Sequence, residues 1–293
     1  MPIVNVNSCN IFYETAGSGE PIVFLHGESH SSRLFEKQLE YFGRNYRCIA
    51  YDRRGHAQSD VPEYGYSVWN QIGDMRLLFD ALGIDRATIV AVSMSTPIAV
   101  SFALRHPERV KALVLSSWYE LDGFPLLEQR RKSHQLPFAE LHLKFRDVLV
   151  NAGKDGLIRF VEENYEALLP ILPLDKPLVR GQLIEILAGH AVEHYTKAGE
   201  YYTSIPFLRE ELRRITCPVL GICGTEDPSP DRPELLDGMP NFRQEWIPGA
   251  RRFTMMEYPD LFNEVLEAFL VENAPSATDQ RVNNRVESGP ARV

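Results

Sequence analysis

Ser93 lies in the pentapeptide Ala91-Val92-Ser93-Met94-Ser95, where an apolar run gives way to a helix-like stretch. A serine on so sharp a turn lifts its Oγ above the edge of a sheet. The crowding there demands small side chains two residues to either side, which Ala91 and Ser95 supply. Ser93 is therefore a candidate nucleophile, and equally a plain cap for the helix that follows. His26-Gly27-Glu28 closes a second apolar run, Pro21 to Leu25. Glycine at that turn lets the Glu28 N–H, with that of Met94, face an oxyanion. Asp227, in Thr225-Glu226-Asp227-Pro228, follows a third apolar run. It is placed to orient a base on a neighbouring loop, or merely to open a turn before Pro228.

These residues need a scaffold that brings strand ends together. Ile3 to Val6 and Asn10 to Thr15 alternate like an antiparallel pair, with Asn7 and Ser8 for the turn. Strands are then expected at Pro21 to Leu25, Tyr46 to Tyr51, Ala87 to Val92 and Val110 to Ser116. Helices are expected from about Ser32 to Phe42, from Ser67 as N-cap to Leu82, and from Thr96 to Arg105. Such alternation calls for a mostly parallel, twisted sheet with helices on both faces, because parallel neighbours require crossovers. Ligands of such sheets sit beyond the carboxyl ends of the strands, where all three segments fall.

The pattern breaks after Ser116. From Trp118 to about Leu208 the spacings are helical and rich in aromatics, an inserted helical region. Strands resume at Pro218 to Gly224 and Arg243 to Ile247, followed by a helix from Tyr258 to Asn273. Residues from Ala274 onward are polar and lack periodicity, as in a frayed tail.

The 293 residues suffice for a large core, and 44% AVILMFWYC with 24% DEKR excludes a disordered or fibrous chain. A net charge of -9 leaves no basic field for nucleic acid. Cys9, Cys48, Cys217 and Cys223 stand singly, as small buried hydrophobes of a reducing compartment do. There is no signal-like amino terminus and no run of eighteen apolar residues, so a soluble, cytoplasmic protein is expected.

FLHG at Phe24 to Gly27, YDRRGHAQSD at Tyr51 to Asp60, VAVSMS at Val90 to Ser95, HPERVKALVL at His106 to Leu115 and GTED at Gly224 to Asp227 occur in that order. In this the chain resembles the α/β-hydrolase fold superfamily, of the kind with a helical cap between the sixth and seventh strands. The resemblance extends to about Asn273. It implies a core of residues 1–117 and 209–273, a cap of residues 118–208 and a tail of residues 274–293. It also implies Ser93 as nucleophile, Asp227 as acid, and the amides of Glu28 and Met94 as the oxyanion hole. Ala91 and Ser95 replace the usual glycines. In the last loop, where the family carries a histidine base, Gly249-Ala250-Arg251-Arg252-Phe253 sets Arg252, and no histidine follows His194.

A guanidinium with a pKa above about 12 cannot accept a proton at working pH, whereas imidazole at about 6.5 can. Arg252 is therefore no base, but it can pair with Asp227. Three readings stay open. In the first, His30, His190 or His194 substitutes, the last two four residues apart and on one face if helical. In the second, Arg252 serves as a fixed charge for an anionic or enolisable substrate, as in a lyase or cofactor-free oxygenase. Or the scaffold has kept binding and lost chemistry. Trp118 and Tyr119 join the histidines as candidate substrate contacts. The implied partner is a small molecule, hydrophobic or bearing an anionic group, with no cofactor. His190 and His194 read as cap residues at the solvent or pocket rim, and with no third ligand of clear spacing no metal is assigned.

Overall fold

A computed structural model of the chain describes residues 2–117, 121, 138–169, 171–227 and 238–274. Trp118, Tyr119 and the tail beyond residue 274 lie outside them. The described strands pair into one eight-stranded sheet of order β1-β2-β4-β3-β5-β6-β7-β8. The strands are β1 (Ile3–Val6), β2 (Cys9–Ala16), β3 (Pro21–Leu25), β4 (Arg47–Tyr51), β5 (Ala87–Val92), β6 (Val110–Ser116), β7 (Val219–Gly224) and β8 (Phe242–Ile247). The hairpin β1–β2 is antiparallel, and β2 runs antiparallel to β4. All neighbours from β4 to β8 are parallel. Asn7 and Ser8 make the hairpin turn with φ of 50° and 56°, the positive values that a tight two-residue turn imposes.

Alternate residues of the central strands enter separate cores. Val23, Leu25, Ile89 and Ala91 pack with α2 (Val68–Ala81) and α3 (Thr96–Arg105). Ile22, Phe24, Val90 and Val92 pack with α1 (Glu36–Phe42) and with Phe262 and Leu266 of the carboxyl-terminal helix Pro259–Glu272. A fully buried parallel sheet between two helical layers follows, as the continuous apolar runs require. Ser67 caps α2, accepting from the Asn70 N–H at 3.2 Å.

Between β6 and β7 the described residues are helical or irregular. They comprise α4 (Phe138–Leu168), broken at Gly153 where φ is 67°, then α5 (Pro177–Ala188) and α6 (His194–Thr203). Leu141, Phe145, Leu157, Leu183 and Tyr195 from this region join the second core. After β8 come the short α7 (Thr254–Glu257) and then α8 (Pro259–Glu272). No described helix is long and apolar enough to cross a membrane. The sheet order reverses around β3, whose neighbours are β4 and β5, and the carboxyl ends of strands at such a reversal are where parallel sheets hold ligands.

Candidate functional site

Ser93 follows β5 directly with φ of 54°, a left-handed backbone that a side chain enters only under local constraint. Two hydroxyls hold it there. Ser95 Oγ accepts from the Val92 N–H at 2.9 Å and lies 3.0 Å from the Leu25 carbonyl, tying the turn to β3. Thr96 Oγ1 donates to the Ser93 carbonyl at 2.9 Å. Gly27 passes so close that a Cβ on it would lie 3.2 Å from both Ser93 Cβ and the Val92 carbonyl oxygen. Ser93 itself is 6% exposed, and among the described residues no hydrogen bond reaches its hydroxyl.

Asp227 and Arg252 meet across the ends of β7 and β8. Arg252 Nη2 lies 3.4 Å from Asp227 Oδ1, and both residues are buried. The loop is held by backbone. The Glu226 N–H donates to the Ala250 carbonyl at 2.9 Å, and Ser117 Oγ donates to the Arg252 carbonyl at 2.9 Å. Buried Glu257 accepts from the N–H groups of Arg251 and Phe253, each at 2.9 Å. Gly224 lies against the carbonyls of Ala250 and Arg251, an approach no side chain would permit.

The histidines gather elsewhere. Glu28, one residue past Gly27, turns its carboxylate away into a buried group of imidazoles. Its Oε2 accepts from Arg53 Nη2 at 3.2 Å, and its Oε1 lies 3.5 Å from His56 Nε2 and 3.6 Å from His194 Nε2. Ring centroids of His190 and His194 are 4.3 Å apart, and those of His56 and His194 4.4 Å. Ser29 Oγ bridges His194 Nε2 at 3.1 Å and His142 Nε2 at 3.4 Å. His30 links the two halves. Its Nδ1–H donates to the Glu28 carbonyl, and its ring stacks on Phe253, the neighbour of Arg252, at 4.8 Å.

Burial, the largest influence, keeps these imidazoles uncharged. It lowers His30 to about 3 and draws His26, His56, His190 and His194 below the ordinary histidine range, with neighbouring cations and imidazoles adding to it for all but His190. For Glu28 burial pushes upward, but the Arg53 charge and the nearby histidines win, and its carboxyl is lowered.

A family model described as α/β hydrolase fold matches residues 20–148. A protein of Bacillus subtilis (strain 168), a candidate 2-succinyl-6-hydroxy-2,4-cyclohexadiene-1-carboxylate synthase, is 29% identical over 92% of this chain and 99% of its own. Among solved structures, Est816, an N-acyl homoserine lactone degrading enzyme, superposes with a TM-score of 0.71 at 25% identity over 92% of this chain and all of that one. The enol-lactonase from Burkholderia xenovorans LB400 gives 0.74 at 23% identity, over 92% of this chain and 100% of that one. The chain has the α/β-hydrolase fold.

Within this α/β-hydrolase fold, Glu28, Ser93 and Met94 stand at the adjacent ends of β3 and β5, and Asp227 and Arg252 at those of β7 and β8. His190 and His194 depart from expectation. They do not share a helix face, because His190 precedes α6 and His194 begins it. Nor do they sit at a rim, being 4% and 2% exposed. Their partners His56, His142 and Arg53 drew no functional reading from sequence. No spacing along the chain signals the group: of its members only His26 and His30 lie near Glu28 in sequence, and His56, His142, His190 and His194 come from other segments.

Proposed function

We propose that this chain is an enzyme acting on a small acyl or carbonyl compound of the ester, lactone or β-diketone type, with Ser93 as the reacting hydroxyl. The observation that carries the reading is the left-handed Ser93, wedged against Gly27 at the switch point of the sheet. Strain is kept at such a turn when the side chain it displays is used. In this reading Ser93 Oγ attacks the substrate carbonyl carbon, its proton passing to water as the Oγ–C bond forms and the C=O π bond opens, and the N–H groups of Glu28 and Met94 receive the negative charge that develops on the carbonyl oxygen. Arg252, braced by Asp227, supplies a permanent positive charge and no proton transfer. The lactone class is supported by the described activity of Est816. In this reading residues 1–117 and 209–273 are the core and residues 118–208 the cap, and Trp118 and Tyr119 are candidate substrate contacts.

A second reading, a small-ligand binding protein on the same scaffold, is favoured by one observation. No base is hydrogen-bonded to Ser93 among the described residues. Turnover of an ester and lactone panel by the native chain, Ser93→Ala and Arg252→His separates the two. The enzyme reading expects turnover that Ser93→Ala abolishes, with ordinary ester hydrolysis rising in Arg252→His. No turnover, no labelling of Ser93 by a fluorophosphonate and tight ligand binding would establish the binding protein instead.

A further inference from the structure

His56, His190 and His194 each offer one ring nitrogen, and these nitrogens all lie within 4.8 Å of one another in a buried cluster. The opposite nitrogen of every ring is already engaged. His56 Nδ1 lies 3.0 Å from the Arg54 carbonyl, His190 Nδ1 3.0 Å from the Leu187 carbonyl, and His194 Nδ1 2.9 Å from the Gly55 carbonyl. A carbonyl oxygen only accepts, so in His56 and His194 Nδ1 carries the hydrogen and Nε2 of the neutral ring carries the lone pair. His190 meets a carbonyl at each nitrogen, Leu187 at Nδ1 and His30 at Nε2, so its Nε2 is free to bind a metal only when its single hydrogen sits on Nδ1. Imidazoles oriented by backbone carbonyls at Nδ1 are the arrangement by which proteins hold a metal ion.

We infer that His56, His190 and His194 form a binding site for one divalent transition-metal ion of the zinc or cobalt kind, with the Glu28 carboxylate, 3.5 Å from His56 Nε2 and 3.6 Å from His194 Nε2, beside it as a compensating charge. Three imidazoles with an open fourth position suit tetrahedral coordination by such ions, and not the all-oxygen preference of magnesium or calcium. Zinc–nitrogen bonds of about 2.0 Å place tetrahedral donors about 3.3 Å apart, so closure needs each ring to move inward by less than about 1 Å.

Two contacts compete for the same lone pairs and both have somewhere else to go. Arg53 Nη2, 3.2 Å from His56 Nε2, also donates to Glu28 Oε2 at 3.2 Å and to the Gly27 carbonyl at 3.0 Å. Ser29 Oγ, 3.1 Å from His194 Nε2, also reaches His142. At His190 the metal relieves a conflict. Its Nε2 faces the His30 carbonyl at 3.0 Å, and a ring with its single hydrogen on Nδ1 sets lone pair against lone pair there. The site joins the loops after β3 and β4 to the start of α6, and it begins one residue beyond Gly27. An ion there would stiffen the turn that presents the Glu28 amide.

The test uses the full chain, stripped with chelator and titrated with Co(II). The expected result is one equivalent bound with the intense visible absorption of a tetrahedral cobalt centre, and a rise in melting temperature with Zn(II). His194→Gln and His190→Gln should each lose the absorption and the melting shift, with binding weakened at least tenfold. Circular dichroism shows whether each variant is folded. Should one fail to fold, Glu28→Gln, which keeps the shape of the carboxylate, serves in its place. Substoichiometric binding, an octahedral cobalt spectrum, or titrations unchanged by folded variants would overturn the site. Ser93→Ala must bind cobalt as the native chain does, so the metal site and the reading of Ser93 stand or fall separately.

Discussion

Arg252 Nη2 lies 3.4 Å from Asp227 Oδ1 inside the protein, each at the end of an adjacent parallel strand. A buried ion pair adds little over an apolar pair of the same shape, but breaking one by removing a single partner is strongly destabilising. Asp227→Asn should therefore lower unfolding free energy by about 3 kcal/mol. Asp227→Leu combined with Arg252→Met should recover most of that loss. Urea unfolding of the two variants measures both, and a cost below about 1 kcal/mol for the single change would mean that the pair is not a structural unit.

The buried imidazoles make stability depend on pH with a definite sign. Their folded pKa values lie below the unfolded value of about 6.5, so below that pH the unfolded chain binds protons that the folded chain refuses. Their contribution is complete above about pH 6.5 and is lost as pH falls, for His30 continuously towards its folded value of about 3. The more rings the fold holds neutral, the more steeply stability falls with pH. Urea midpoints recorded from about pH 8 down to about pH 5 should fall steeply below about pH 6.5. A flat profile would show that the imidazoles charge without unfolding the chain.

Gly27 is needed for space, not for a left-handed backbone. A methyl group there would stand 3.2 Å from Ser93 Cβ and from the Val92 carbonyl oxygen, and neither can retreat without moving the elbow. Gly27→Ala should cost about 1 to 3 kcal/mol in stability by overpacking. It should also slow fluorophosphonate labelling of Ser93 by about tenfold, since small misplacements of a reacting group are costly. Labelling at the native rate would show that Ser93 tolerates displacement.

Strands and helices that bury a continuous apolar run could be read from the sequence residue for residue. Ala87–Val92, Val110–Ser116 and Thr96–Arg105 match because their local pattern and their burial agree. The hydroxyl turn at Ser93 was legible for the same reason, since a strand and a helix leave it no length. The imidazole cluster was not. Glu28 lies in the loop after β3, His56 in the loop after β4, His142 on α4, and His190 and His194 on either side of the start of α6. Their meeting depends on how the helices between β6 and β7 settle over the sheet, and spacing along the chain does not encode it. Reading His190 and His194 as an isolated pair failed because the other imidazole and the carboxylate come from more than a hundred residues away.

Ser95 stands where the resemblance to the α/β-hydrolase superfamily implies a glycine, and the structure gives its hydroxyl two duties. Ser95 Oγ accepts from the Val92 N–H at 2.9 Å and, with its one hydrogen, donates to either the Leu25 carbonyl at 3.0 Å or the Val92 carbonyl at 2.9 Å. Ser95 has φ of -85°, so glycine's conformational freedom is not required there. Ser95→Gly, although it restores the usual residue, leaves the Val92 N–H buried with no acceptor and should cost about 1 to 3 kcal/mol. Ser95→Ala should cost nearly as much, whereas Ser95→Thr, which keeps the oxygen but adds a methyl in a site with no exposed surface, tests the space instead. Equal melting temperatures for the native chain and both deletions of the hydroxyl would show that the elbow is held by the sheet alone. A loss shared by the glycine and alanine variants assigns the restraint to this oxygen.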